Sequence, residues 1–335
     1  MNKANSLMRD SNMELYRIIA MLMVILLHVF GEYNIIYKQY HTPEHIINIL
    51  LTCTTFVCVD MFVLLSGWYG INTRWEKIKA FIFQVLFYSI ALYIVILTFF
   101  DTESFSWRFF THIFIFDSYW FIPVYLMLYL FAPALNPFIK QSSHKQYLTI
   151  LVSLIVMQTI YGCLNMRESG YFEGCSPISF VILYFLGAYL HRFSEQFNKI
   201  SKKTWLFFFI MLVSLSCILA LLSNYMLYEF LSSLAWKFSS PIVIAAAACL
   251  LLLFSKINIG YNRFINWIAA SSFAAFLIHC FPPVYQECFS PLVRTIYQHF
   301  TYPIAIFILI GLTLVLYVLC ILIDQIRIRI YSIIK

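Results

Sequence analysis

Apolar runs of about 20 residues recur along the whole chain, and their length is the feature that most constrains the fold. A helix of about 20 residues crosses the hydrocarbon core of a bilayer, whereas a strand of an outer-membrane barrel needs only about 10 alternating residues. The composition agrees, since 62% of the 335 residues are hydrophobic and 11% are charged. A soluble domain carries about 25% charged residues. The sequence therefore predicts an all-α polytopic membrane protein and excludes a soluble enzyme, a coiled coil and a fibre.

We expect about ten transmembrane helices in a single domain over residues 1–335, without a separate soluble domain. The predicted spans are 13–33, 46–70, 78–99, 119–139, 146–164, 177–192, 204–223, 240–256, 265–285 and 302–325.

The basic residues predict the orientation of these helices. Of the 22 Lys and Arg, sixteen fall at the termini or in the loops on their side, five fall in the opposite loops, and Arg17 lies inside the first span. Short cytoplasmic loops collect Lys and Arg. We therefore expect a multi-pass protein of the cell membrane with both termini in the cytoplasm. The same bias explains the net charge of +7 without a nucleic-acid partner.

Ionisable residues inside the spans are the main functional candidates, because a charge there costs roughly 3 kcal/mol on insertion scales. Arg17 and His28 share the first helix and are eleven residues apart. Eleven residues turn the helix by about 1100°, about 20° beyond three turns, and rise about 16 Å. The two side chains therefore share one face, with Arg17 nearer the cytoplasm.

This pair suits a long anionic donor that enters from the cytoplasm. Arginine binds phosphates through its planar fork, and histidine transfers protons near neutral pH. Two structural interpretations remain open. Arg17 pairs with Glu14, three residues earlier, or His28 forms a hydrogen bond that holds a neighbouring helix.

Asp60 and His279 complete the short list of ionisable candidates inside the spans, with Glu14 at the cytoplasmic edge. Asp60 either orients the imidazole of His28, as a carboxylate commonly does, or forms a buried ion pair with Arg17. His279 is expected at a depth similar to that of His28. It is either a second histidine of the site or a hydrogen-bonded residue at a helix end.

Aromatic and basic clusters flank these spans. Trp120 lies in an aromatic segment typical of the membrane interface and is a candidate for the lining of an outward cavity. Arg74, Lys77 and Lys79 follow the second span. They reflect the cytoplasmic charge bias or attract nucleotide phosphates, and the two roles are compatible.

Four segments carry a family resemblance. NMELYRIIAMLMVILLHVF contains an Arg-x10-His pattern, and VDMFVLLSGWYG contains an acid followed by Phe, Val and Ser-Gly-aromatic. SYWFIPVYLMLYLFAPALNPFI and SSFAAFLIH follow later in the chain. These segments resemble the motifs of the acyltransferase-3 membrane proteins, which O-acylate cell-surface glycans. The family often has two arginines after the second span, where this chain has Arg74, Lys77 and Lys79.

The resemblance implies an O-acyltransferase, most simply an O-acetyltransferase. It would move the acyl group from cytoplasmic acyl-CoA to a hydroxyl of a cell-surface or lipid-linked polysaccharide, with no bound cofactor and no metal. The implied roles are donor binding for Arg17, Arg74, Lys77 and Lys79, catalysis for His28 and Asp60, and oxyanion or acceptor contacts for Ser66, His279 and Trp120. His28 would act as a general base or carry the acyl group covalently.

Two other classes of function stay open at this stage. A transporter or flippase for lipid-linked sugars would use the same residues as a proton relay or substrate site. A membrane assembly subunit would use them for no chemistry. Release of thiol from acetyl-CoA separates an enzyme from both.

Overall fold

The computed structural model describes residues 10–37, 42–100, 105–164, 170–226 and 229–334, and within these ranges the regular structure is helical. The α-helices are α1 (Ser11–Ile36), α2 (Pro43–Thr55), α3 (Cys58–Tyr69), α4 (Trp75–Phe99), α5 (Trp107–Phe114), α6 (Phe121–Gln141), α7 (His144–Met157), α8 (Pro177–Arg192), α9 (Lys202–Met226), α10 (Glu229–Trp236), α11 (Pro241–Ser255), α12 (Arg263–His279), α13 (Pro282–Val284), α14 (Ser290–His299) and α15 (Tyr302–Ile334). A π-helical turn (Gln158–Leu164) extends α7, and another (Tyr285–Phe289) joins α13 to α14. Short 3₁₀ turns cover Phe172–Gly174 and Ser194–Phe197.

The helices coincide with the predicted spans. In the described ranges, eight segments are long and apolar enough to cross a membrane: Ser11–Ile36, Pro43–Tyr69, Trp75–Phe99, Phe121–Gln141, His144–Leu164, Lys202–Met226, Glu229–Ser255 and Tyr302–Ile333. The two remaining predicted spans fall on the 16-residue α8 and on a bent segment that begins with α12. The all-α polytopic class is confirmed, and ten crossings with cytoplasmic termini remain a prediction.

The orientation was predicted from a count of basic residues, and five of these residues are not among those that the structure describes. The basic residues Lys3, Arg9, Lys38, Arg167 and Lys335 lie outside the described residues.

Helices α1 and α12 run side by side in the same direction, and their first turns are tied together. The Ser11 hydroxyl accepts from the backbone N–H of Asn262 at 2.7 Å and donates to the Asn266 side chain at 2.9 Å. The Asn262 side chain also caps α12. This contact sets the register of the two helices.

Paired glycines let α3 and α8 cross closely. A Cβ added to Gly67 would collide with the backbone carbonyl of Tyr184, and one added to Gly187 would collide with that of Leu64. Neither backbone group has room to move independently of its helix. The crossing therefore needs glycine on both sides, as small residues allow in membrane helix pairs.

The predicted span 265–285 is not one straight helix. Helix α12 ends at His279, and the segment Pro282–His299 continues at an angle of 71° to it. Pro282 and Pro283 cause the break, because proline lacks the N–H that a helix interior needs and its ring clashes with the preceding turn. The break places His279 at a helix end.

Candidate active site

His28 and His279 form the centre of the site. His28 Nδ1 lies 3.1 Å from His279 Nε2, and His279 Nδ1 lies 2.5 Å from the Ala275 carbonyl oxygen. A carbonyl only accepts hydrogen bonds, so His279 carries its proton on Nδ1 and its Nε2 accepts the Nδ1–H of His28. This network assigns the free lone pair of His28 to Nε2.

The register of α1 and α12 explains why the two histidines meet. Ser11 and Asn262, which tie the helix starts together, are 251 residues apart in sequence, and so are His28 and His279. Equal helical lengths rise and turn equally, so the two side chains arrive at the same height. His279 is thus both a hydrogen-bonded residue at a helix end and a partner of His28.

A polar cluster that the sequence analysis missed lies one turn beyond His28. The buried Glu32 carboxylate accepts from the Tyr285 hydroxyl at 2.7 Å and from Arg294 Nε at 2.6 Å. The Tyr285 ring packs edge-on against the His28 imidazole, with ring centres 5.6 Å apart. The spacing of four residues between His28 and Glu32 puts both on one helix face and was available as a signal.

A cavity of about 280 Å³, the His28 cavity, opens beside His28, Trp120, Cys280 and Tyr285. The rest of its lining is mostly aliphatic and aromatic. An apolar cavity with a few convergent polar groups is typical of a small-molecule site.

A second cavity of about 470 Å³, the Arg17 cavity, is lined by polar residues that include Arg17, Ser66, Lys77 and Gln84. Three aromatic side chains line both cavities: Phe62, Phe121 and Phe273. The two cavities therefore share an aromatic wall, with basic residues on one side and His28 on the other.

The family model for the acyltransferase domain matches residues 10–323 of the chain. The chain belongs to the acyltransferase-3 family. The resemblance is therefore confirmed, and the protein is a membrane acyltransferase whose two histidines and two cavities lie inside the matched region. Comparison with curated proteins and with solved structures gave no significant match.

Arg17 of this acyltransferase forms the ion pair with Glu14 that the sequence left open, and it also lines a cavity. Its guanidinium pairs with the buried Glu14 carboxylate at 2.5 Å, and its side chain, 28% exposed, lines the Arg17 cavity. The ion pair holds the guanidinium at the cavity wall and leaves other N–H groups for an anion, since arginine has five donors.

The basic residues after the second span separate into two groups. Lys77 lines the Arg17 cavity. Arg74 and Lys79 are exposed and are not part of its lining in the described structure, and Lys79 Nζ instead lies 5.9 Å from the centre of the Trp75 ring. Lys77 is therefore the member of this group that the structure brings to Arg17.

Asp60 does not make either contact that was expected of it. Its side chain is fully buried, and among the described residues its two carboxylate oxygens have no hydrogen-bond partner, neither His28 nor Arg17. The reason is rotation about α3. Cys58, Val59 and Phe62 face the His28 cavity, and at 100° per residue Asp60 points to the opposite side of the helix. His279 occupies the position expected for the Asp60 carboxylate.

Ser66 also lies away from His28. Its hydroxyl bonds the Phe62 carbonyl at 2.9 Å and the Tyr125 hydroxyl at 3.1 Å, and it lines the Arg17 cavity rather than the His28 cavity. An oxyanion contact beside His28 is therefore not available to Ser66 in this arrangement. Trp120, in contrast, lines the His28 cavity as expected.

The described site thus places the His28 imidazole on one side of an aromatic wall and the basic side chains of Arg17 and Lys77 on the other. His28 Nε2 can accept a proton from a hydroxyl, and His279 supports the cation that forms. Arg17 and Lys77 can bind phosphates on the other side of the wall.

Proposed function

We propose that the protein O-acetylates a polysaccharide, taking the acetyl group from acetyl-CoA on the cytoplasmic side of the cell membrane. The acceptor is a hydroxyl of a cell-surface or lipid-linked glycan. The observation that carries the proposal is that Arg17 and His28 line two cavities with a common wall. Acetyl-CoA has the matching form, with anionic phosphates at one end and a thioester at the other end of a long arm.

The dimensions of α1 support this assignment. Arg17 and His28 are separated by about 16 Å along the helix axis, a distance that an extended arm covers and a compact substrate does not. The arm of acetyl-CoA passes Phe62, Phe121 and Phe273, and their side chains must rotate to open a path between the two cavities. The polar end then stays with Arg17 and Lys77, and the thioester carbonyl reaches His28.

The reaction follows from the tautomer of His28. Nε2 takes the proton of the sugar hydroxyl while the sugar oxygen attacks the thioester carbonyl carbon, which gives a tetrahedral intermediate. The intermediate collapses by breaking the carbon–sulfur bond, and the proton on His28 passes to the leaving thiolate. The products are a glycan acetyl ester and free coenzyme A, and His28 returns to its neutral state.

The acceptor is positioned by groups on the far side of His28. Trp120 offers an aromatic surface against which a sugar ring packs. Glu32 and Arg294 hold Tyr285 beside the imidazole, so the Tyr285 ring limits how a hydroxyl approaches Nε2.

The proposal is tested with acetyl-CoA labelled in its acetyl group. Membranes that contain the protein are incubated with the label and with surface polysaccharide from the same cells, and thiol release is followed. We expect thiol release to match label on the polysaccharide that mild alkali removes, as it removes an ester. His28→Ala membranes with an equal amount of inserted protein serve as the control and should transfer at least about 100-fold more slowly.

Two results would contradict the proposal. Unchanged acetyl-CoA with movement of a lipid-linked sugar across the membrane would indicate a transporter or flippase. Thiol release equal in wild-type and His28→Ala membranes would remove His28 from the reaction.

A further inference from the structure

His28, His279 and Cys280 bring three metal-ligating atoms to one point. Cys280 Sγ lies 3.3 Å from His279 Nε2 and 3.8 Å from His28 Nδ1, and the two nitrogens are 3.1 Å apart. Tetrahedral zinc, with Zn–N near 2.1 Å and Zn–S near 2.3 Å, places its ligand atoms about 3.3–3.6 Å apart. The three separations lie within about 0.3 Å of those expected for one face of such a tetrahedron, so small side-chain rotations would complete it.

Two possible hydrogen-bond donors among these atoms share one acceptor. His279 Nε2 offers one lone pair, yet the Nδ1–H of His28 and the S–H of Cys280 both lie within reach of it. Only one of the two can donate to it at a time, and the other must turn away. A cation satisfies all three atoms together, because it accepts a lone pair from each of them.

The surroundings have two further features of a zinc site. His279 donates its other N–H to the Ala275 carbonyl, the kind of outer contact that orients a metal-bound histidine. His28 and Cys280 line the His28 cavity, so the fourth coordination position faces open space. Three protein ligands with one open position are typical of accessible zinc sites.

We propose that His28, His279 and Cys280 bind zinc(II), and that bound zinc switches off acetyl transfer. On binding, the Cys280 thiol releases its proton to solvent and the thiolate bonds to the metal. The His28 proton moves from Nδ1 to Nε2, so Nδ1 is free to bind zinc and Nε2 becomes a donor. The nitrogen that serves as base in the proposed function then has no lone pair. Zinc binding itself is independent of that function, and only the inhibition rests on it.

Binding is tested on the purified full-length protein in detergent, with zinc titration and with cobalt(II) as a spectroscopic substitute. We expect one zinc per chain and, with cobalt, a thiolate-to-metal charge-transfer band. Cys280→Ala should lose the band and weaken zinc binding by more than about 100-fold, beyond the 10–100-fold typical of outer contacts. Cys288→Ala is the matched control, since Cys288 is a partly exposed thiol of the same bent segment outside the cluster, and it should bind like wild type.

The thermal unfolding midpoint of each variant, measured without zinc, confirms that it is folded. Absence of stoichiometric zinc in the wild type, or wild-type affinity in a folded Cys280→Ala variant, overturns the site. In the transfer assay, zinc should inhibit the wild type and a chelator should restore it. Full transfer by protein that holds one zinc per chain, as measured by the titration, would leave the site in place and overturn the inhibition, together with His28 as the base.

Discussion

The His279→Ala substitution removes the acceptor that holds the proton of His28 on Nδ1. A neutral hydrogen bond contributes about 0.5–1.5 kcal/mol, and one to a charged group about 1.5–3 kcal/mol. The larger range applies to the transition state, because His28 becomes a cation as it takes the hydroxyl proton, and the smaller range applies to the ground state. Only the difference between them, about 1–1.5 kcal/mol, slows the reaction of the bound substrate. With 1.36 kcal/mol for each factor of ten, we expect kcat to fall by about 5- to 15-fold.

The assay is the initial rate of thiol release from acetyl-CoA with polysaccharide acceptor, for both single variants and the double variant. Since His279 acts through His28, His28→Ala and the double variant should have equal rates. His299→Ala is the matched control, because His299 also bonds the carbonyl four residues earlier, at 2.8 Å, but is exposed. Losses that multiply in the double variant, or a wild-type rate in His279→Ala, would refute the reasoning.

Three further predictions concern the donor site, the helix crossing and the orientation. Arg17→Lys keeps the charge but loses the planar fork, so the KM for acetyl-CoA should rise ~10-fold or more while the KM for the acceptor stays the same. Unchanged affinity for acetyl-CoA in Arg17→Ala would show that Arg17 does not bind the phosphates. Gly67→Ala should lower the free energy of unfolding in detergent by about 1–3 kcal/mol, because the added methyl group would collide with backbone atoms of α8. Gly31→Ala is the control and should not lower this free energy, because no atom lies within 4 Å of its added methyl group. In sealed cells, a membrane-impermeant thiol reagent should modify Glu229→Cys and not Lys199→Cys; modification of Lys199→Cys would reverse the orientation.

The helices were predictable because their main determinant is local. An apolar run either is or is not long enough to span a bilayer, and each predicted span coincides with a helix or helix pair. The bend at Pro282 was also predictable from the sequence, since two prolines interrupt the run. What hydropathy does not supply is the direction that the chain takes after such a break.

The site was predictable where it depends on one helix. Arg17 and His28 share a face of α1 by spacing alone, and the structure places them on two adjoining cavities. The contact between His28 and His279 depends instead on the Ser11–Asn262 tie, which joins residues far apart in sequence. Periodicity defines the face of a helix but not its partner or register.

The position of Asp60 could not be predicted from the sequence. Its depth in the membrane was estimated from the span boundaries, but depth does not define rotation about the helix axis. The rotation of α3 is set by the Gly67–Gly187 crossing with α8, a contact that neither residue reveals alone. Glu32 lies inside the first predicted span, four residues after His28, so its helix face was predictable. Its partners Tyr285 and Arg294 were not, because they lie beyond the bend.

The central claim is that His28 Nε2 is the base of acyl transfer, and the rate of the His28→Gln variant tests it most directly. Glutamine keeps a hydrogen-bonding side chain and has no usable basicity, so a structural role of His28 would survive the change. An interhelical hydrogen bond in a membrane is worth only about 0.6 kcal/mol on average, whereas loss of a general base costs about 10²–10⁴ in rate. We predict that the variant inserts normally and transfers acetyl at least about 100-fold more slowly than wild type. Retention of more than about a tenth of the wild-type rate would contradict the account, because it lies above the range for loss of a base.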